Sequence, residues 1–222
     1  MLYTFADRPS CIEALSEQIC AVIRSDLAVC ARMDLAVSGG RSPAPLFETL
    51  AKIELDWGRV RVRLVDERDV PPEHPDSNAA LVRGHLLQHA AARAQFELLR
   101  DPALTLDQCV ERANVSAGAA DLLLLGLGDD GHVASLFPDA PEIERGLDAA
   151  SVDDYLLTTP QHAPHRRIGM TLHALLRARR VFLFATGASK RERLRDAMHD
   201  AASPLPVARL LRAREVEMYW AP

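Results

Sequence analysis

A Rossmann-like α/β fold, in which a mostly parallel sheet carries helices on both faces, is predicted by three observations. Short apolar runs alternate along the chain with longer stretches of helical periodicity. Such alternation implies right-handed crossovers between parallel strands. Each of the main apolar runs is followed at once by a polar or glycine-rich turn. The 222 residues contain no internal repeat, no low-complexity tract and no Gly-, Ser- or Pro-rich linker, so one domain spanning residues 1–222 is expected.

The elements follow in order. Ser10 and Glu13 form an S-x-x-E capping pattern ahead of Ile12, Leu15, Ile19, Val22, Ile23 and Leu27, which keep helical spacing. Leu35-Ala36-Val37 reads as a short buried strand. Pro43 suits the first turn of a helix that continues through Phe47, Leu50 and Ala51. Residues 60–65 form a β-rich run. Asp76, Ser77 and Asn78 offer helix caps before Leu81, Val82 and Leu86. Residues 96–99 suit a short strand, 106–117 a helix, and 122–125 a strand of four leucines. Residues 155–158 and 167–171 read as extended. Residues 181–185 form a buried strand followed by a helix at 189–198. A short helix at 207–211 and a strand at 216–220 complete the pattern.

Composition narrows the class. The chain is 48% hydrophobic and 26% charged, ordinary for a globular protein. No apolar run approaches the ~20 residues that span a bilayer. Residues 1–8 lack the features of a signal peptide, so a cytoplasmic location without a membrane partner is expected. The formal net charge of −5 opposes nucleic-acid binding by bulk electrostatics, yet leaves room for a small anionic ligand. Four cysteines, at 11, 20, 30 and 109, show neither C-x-x-C pairing nor zinc spacing and read as reduced thiols. His162 and His165 have no further ligands at metal-binding spacing, so no metal site is expected.

In an open parallel sheet, ligands bind beyond the carboxyl ends of the strands. The turns found there are Ser38-Gly39-Gly40-Arg41-Ser42, Asp66-Glu67-Arg68, the run 126–138 and the run 186–190. The first places glycine N–H groups, two hydroxyls and an arginine at a helix start, a pattern that suits a phosphate. It is also what an ordinary strand-to-helix turn requires. Asp66 sits at a strand end, with Arg68 available to pair with it or with an anion. Gly126, Gly128 and Gly131 match G-x-G-x-x-G, but Asp129 and Asp130 would bring negative charge to the seat of a pyrophosphate. A tight glycine turn that projects His132 into the cleft fits better. Histidine takes protons near neutrality, and Asp130 or Asp66 would orient its ring. Lys190 near a helix start opposes the macrodipole, which favours a ligand role. Arg167 is a further cation candidate, while Arg191, Arg193 and Arg195 read as a solvated helix face. No G-x-S-x-G nucleophile elbow occurs.

The segments LAVSGGRSP, VDERDVPPEHPDSN, DLLLLGLGDDGHVASLFP and VFLFATGASK, in this order and at these spacings, resemble the 6-phosphogluconolactonase family. The resemblance runs from about Leu35 to Leu211. It implies a fold similar to that of glucosamine-6-phosphate deaminase, hydrolysis of 6-phospho-D-glucono-1,5-lactone to 6-phosphogluconate in the oxidative pentose phosphate pathway, and no metal or organic cofactor. It places the family's histidine on His132, its carboxylate and arginine on Asp66 and Arg68, its late lysine on Lys190 and its substrate loop on Ser38, Gly39, Gly40, Arg41 and Ser42. Three positions depart from the family pattern. Ser42 and Val133 stand where threonine is usual, and Gly169 replaces the threonine of R-I-T, whose arginine is retained as Arg167.

On this basis His132 is expected to act as general base on a water aimed at the lactone carbonyl. Arg68 or backbone N–H groups would stabilise the oxyanion. The 38–42 loop, Arg167 and Lys190 would hold the phosphate, with Arg68 as an alternative. The expected partner is a small phosphosugar lactone, met by a monomer or weak homo-oligomer. Two rival functions remain. Glucosamine-6-phosphate deaminases share the S-G-G and D-G-H motifs but carry F-N-E-P where this chain has Leu136-Phe137-Pro138, and D-E-Y where it has Asp66-Glu67-Arg68. Non-catalytic sugar-phosphate sensors on this fold carry a DNA-binding segment, and no such module precedes Leu35.

Overall fold

The structure is a computed structural model that describes residues 1–40 and 42–222. Ten strands and eight α-helices occur among the described residues, in the order β1 (Leu2–Thr4), α1 (Arg8–Val29), β2 (Met33–Val37), α2 (Ala44–Lys52), β3 (Val60–Leu64), β4 (Asp66–Arg68), α3 (Asn78–His85), β5 (Gln95–Phe96), α4 (Leu106–Ser116), β6 (Leu122–Leu125), α5 (Ile143–Gly146), β7 (Tyr155–Thr158), β8 (Arg167–Met170), α6 (Leu172–Arg177), β9 (Arg180–Thr186), α7 (Ala188–His199), α8 (Pro206–Ala213) and β10 (Glu217–Ala221). Seven strands form a parallel sheet in the order β1-β10-β9-β6-β2-β3-β5. Its central strands are buried along nearly their whole length, as a sheet covered on both faces requires. From β2 the chain works outward to β3 and β5, and from β6 it works the other way to β9 and β10. Right-handed crossovers then place the helices of the two halves on opposite faces. Accordingly α1, α2 and α3 pack together, as do α6, α7 and α8.

The sequence did not foretell the second sheet. β4, β8 and β7 form a three-stranded antiparallel sheet, and Asp66-Glu67-Arg68, read above as a strand-end turn, is its first strand. The two sheets join at Val65. Its N–H donates to the Val37 carbonyl at 2.9 Å, and its own carbonyl accepts from Met170 N–H of β8 at 2.9 Å. The buried Tyr155 hydroxyl donates to the Leu64 carbonyl at 3.0 Å, pinning β7 to the same place.

Three local expectations shift. Helix α1 is capped by Asp7, whose carboxylate accepts from Ser10 N–H at 2.8 Å, so Ser10 lies inside the first turn rather than at its cap. Pro9 occupies the first turn, where a missing N–H costs nothing. The edge strand β1 was not anticipated, and β5 covers Gln95–Phe96 rather than 96–99. Ser77 caps α3 as expected, by accepting from Ala80 N–H.

Candidate active site

The order of strands reverses between β2 and β6, and at such a switch point the turns after two neighbouring strands part to open a crevice. Ser38 N–H donates to the Leu124 carbonyl at 2.8 Å, closing the two strands immediately below that gap. Above it lies a cavity of about 270 Å³. Its walls bring together Ser38, Gly39, Gly40, Ser42, Asp66, Arg68, His132, Arg167 and Lys190. Of the site residues expected from sequence, Asp130 stands behind this wall as a partner of His132, and Arg41 lies outside the described residues.

The turn after β6 shapes the histidine. Gly128 N–H donates to the His132 carbonyl, and Gly131, at φ +84°, closes the turn through its N–H to the Gly128 carbonyl, both at 3.0 Å. A Cβ on residue 128 would lie 2.1 Å from His132 Nδ1, so only glycine lets the ring fold back over the turn. Asp130 Oδ1 lies 2.6 Å from His132 Nδ1 and also accepts from His132 N–H at 3.1 Å. Burial pushes the Asp130 carboxyl upward, but the His132 hydrogen bond and charge outweigh it and hold the pKa below the ordinary carboxylate range. The bond to Nδ1 leaves Nε2 for the cleft. Asp129 faces away and accepts from Ser189 Oγ at 2.7 Å, while Arg193 Nε donates to its carbonyl at 3.0 Å. The negative charge of Asp129 thus lies at the start of α7, where the helix field favours it. Arg193, expected on a solvated face, ties α7 to this turn, and Arg191 packs over the Trp220 ring at 4.5 Å.

Asp66 does not orient the imidazole. Its carboxylate accepts from the Ser135 hydroxyl on Oδ2 and from Asn78 Nδ2 at 3.3 Å on Oδ1, and the same Asn78 amide donates to the Asp66 carbonyl at 2.7 Å. Ser135 reaches Asp66 from an unusual backbone, since Ala134 and Ser135 are consecutive left-handed residues at φ +54° and +61°. Such strain persists only where the surroundings impose it. Here the imposing surface is Gly169 of β8, where an added Cβ would meet the Ala134 carbonyl oxygen at 2.3 Å. The departure from the R-I-T pattern therefore makes room for the 134–135 backbone.

Strand periodicity separates the middle motif. Residues i and i+2 of a strand share a face, so Asp66 and Arg68 both reach the cleft while Glu67 points away. Glu67 is buried at 1% exposure and accepts from Arg68 N–H and Asn78 N–H on Oε1, and from the Ser77 hydroxyl and Ala79 N–H on Oε2, at 2.7–2.9 Å. Burial lifts its pKa and the four donors oppose that lift. It fixes the start of α3 and thereby the placement of Asn78. Sequence reasoning missed Glu67, Asn78 and Ser135. Reading Asp66-Glu67-Arg68 as a strand would have found the first by alternation.

The positive wall is a cross-strand pair. Arg68 and Arg167 are register partners in β4 and β8, a like-charge arrangement that is unfavourable on its own. Arg68 donates to the Asp76 carbonyl and Arg167 to the Pro164 carbonyl at 2.9 Å. The Nε of each is buried and has no hydrogen-bond partner among the described residues. Burial lowers the Arg167 pKa, the neighbouring Arg68 charge adds to this, and Asp66 opposes it. Both arginines line the cavity, and two guanidinium groups on one wall suit an anion. His162 and His165 turn to separate carboxylates, Asp139 at 2.7 Å and Asp76 at 3.0 Å. No helix is long and apolar enough to cross a membrane among the described residues.

Residues 6–220 match the family model of glucosamine-6-phosphate isomerases/6-phosphogluconolactonase. The chain is 38% identical to a 6-phosphogluconolactonase of Pseudomonas putida over 225 residues, covering 100% of this chain and 93% of the relative. Its fold is similar to the crystal structure of a putative 6-phosphogluconolactonase from Neisseria gonorrhoeae, with TM-score 0.95, 33% identity and coverage of 100% and 99%. It is also similar to a 6-phosphogluconolactonase from Shewanella baltica, with TM-score 0.92, 29% identity and coverage of 100% and 97%.

The contact at Gly169 gives a first prediction. Gly169→Ala forces the Ala134 carbonyl away and loosens Ser135 from Asp66, at a cost of about 1–3 kcal/mol. Urea unfolding monitored by circular dichroism checks this, and an unchanged midpoint contradicts it.

Proposed function

This chain belongs to the glucosamine-6-phosphate isomerase/6-phosphogluconolactonase family, and from that premise we propose how its cleft works. The protein is a hydrolase that opens 6-phospho-D-glucono-1,5-lactone to 6-phosphogluconate. The observation that carries the mechanism is the imidazole of His132, held through Nδ1 by a carboxylate at 2.6 Å with its other nitrogen left for the cleft.

His132 Nε2 accepts a proton from a water molecule whose oxygen attacks the lactone carbonyl carbon. Asp130 keeps the imidazole in the productive tautomer and stabilises the imidazolium that forms. The carbonyl oxygen becomes an oxyanion, and Arg68, whose side chain lines the cleft, is the donor we assign to it. The tetrahedral intermediate collapses by breaking the bond to the ring oxygen, which takes the proton back from His132. The 6-phosphate is remote from the bond that breaks. We assign it to Arg167, Lys190 and the turn of residues 38–42, so that its binding energy orients the ring. Asp66, held by Ser135 and Asn78, supplies a fixed acceptor for a sugar hydroxyl.

We further propose that residues 1–222 act as one sugar-phosphate-binding domain in the cytoplasm. Both sheets contribute walls to the cleft, which supports a single working unit. The excess of acidic over basic residues supports a small-molecule rather than a nucleic-acid partner, and the gathering of the site residues in one chain supports a monomer or weak homo-oligomer.

Removing the base tests this directly. His132→Ala retains its fold but loses about 10²–10⁴ in turnover, read from time courses with freshly prepared lactone after subtraction of spontaneous opening. Near wild-type turnover would falsify the assignment.

The Asp130 carboxylate gives a pH signature. Its folded pKa is depressed, so its stabilising effect is present above the ordinary carboxylate range and fades as pH falls through the lowered value. Asp130→Asn deprives the imidazolium of its anion, and the acid limb of the kcat/KM profile moves to lower pH. Turnover also falls, by about 10²–10⁴, through the wrong tautomer. An acid limb unmoved in that variant contradicts the role given to Asp130.

A further inference from the structure

The segment that follows the catalytic histidine ends in Phe137, which does not line the cleft but touches two residues that do. Its ring centroid lies 4.0 Å from that of His132, with the planes at 33°. The guanidinium carbon of Arg167 lies 5.0 Å from the same centroid. Phe137 is buried at 5% exposure, so the ring has a fixed seat. That seat is built by the close approach of residues 134–135 to Gly169, two positions along β8 from Arg167.

Each contact answers a need of its partner. The Nδ1 bond to Asp130 fixes one point on the imidazole but leaves rotation about that bond. A flat ring against the imidazole removes this freedom. Arg167 is a buried cation that faces another arginine across the strand pair, and its one side-chain hydrogen bond among the described residues goes to the Pro164 carbonyl. An aromatic face offers it negative quadrupole density. A single rigid ring that serves both groups cannot shift toward one without shifting from the other.

We propose that Phe137 is a positioning residue that couples Arg167 to His132, so that an anion bound at Arg167 sets the imidazole for attack at the far end of the substrate. The inference rests on the roles given above to those two residues. It goes beyond them in assigning the link. Coupling of this kind requires that the anion need not be attached to the lactone, because the signal passes through the protein.

The test uses glucono-1,5-lactone, which lacks the phosphate, with inorganic phosphite supplied separately. Phosphite raises wild-type kcat/KM for this truncated lactone by roughly tenfold, as remote binding energy is delivered in two pieces. Phe137→Tyr, which keeps the ring, retains that activation. Phe137→Leu, or Phe137→Met if the leucine variant does not fold, retains less than about twofold activation while still binding 6-phosphogluconate by calorimetry. A parallel His132→Ala reaction removes buffer catalysis by phosphite from the comparison. Equal activation in the wild type and the leucine or methionine variant, or none in the wild type, overturns the coupling alone. Turnover of the phosphorylated lactone by His132→Ala at the wild-type rate, or undiminished 6-phosphogluconate binding by Arg167→Ala, overturns the underlying assignment and the coupling with it.

Discussion

The charged wall of the cleft depends on the two hydrogen bonds of one residue, Val65. Its N–H belongs to the parallel sheet and its carbonyl to the antiparallel one. A chain leaving β3 would ordinarily run over the sheet edge into a helix. Here it is turned into a second sheet that stands over the carboxyl ends of the first. That turn lifts Asp66 and Arg68 from a strand-end loop into a strand, fixes which of them face the cleft, and sets Arg68 beside Arg167. The switch point between β2 and β6 opens a crevice, and the second sheet gives it a charged wall.

The cleft joins two kinds of electrostatic preparation. On the β6 side a glycine turn separates two adjacent aspartates, sending Asp130 to the imidazole and Asp129 to the start of α7. On the β8 side two arginines are held as register partners across the strand pair. Like charges directly opposite each other repel, and an anionic substrate offsets that repulsion. The segment 133–137 connects the two sides. It carries Ser135 to Asp66 and Phe137 to His132 and Arg167, and two left-handed residues and a glycine without room for a side chain set its path.

The centre of the parallel sheet was legible because strands such as β6 and β9 are largely apolar runs of four and seven residues, followed by turns marked by glycine. The positions of Ser38, Gly39, Gly40, Ser42, Asp66, Arg68, His132 and Lys190 around one cavity followed from the rule that ligands lie beyond strand ends, whereas Arg167, the first residue of β8, stood outside that rule as a further cation candidate. The second sheet was hidden because β4 is three residues long and polar, so its alternation is too short to register as a period. The partner of His132 stayed open between Asp66 and Asp130, since sequence distance says nothing about which carboxylate a strained turn will present. Ser135 and Phe137 were visible as letters of a motif but not as contacts, because left-handed backbone at Ala134 and Ser135 has no signature in residues other than glycine and asparagine. The capping pattern at Ser10 misled because Asp7 followed by Pro9 makes a cap that begins the helix earlier.

The central claim is one of polarity: the phosphate end of the substrate lies against Arg167 and the turn at Gly40, and the carbonyl end against His132. A crystal structure of the complex with 6-phosphogluconate measures this most directly. The account predicts the phosphate within hydrogen-bonding distance of the Arg167 guanidinium and the product carboxylate against His132 Nε2. A product bound the other way round, with its phosphate at His132 and its carboxylate at Arg167, would contradict it.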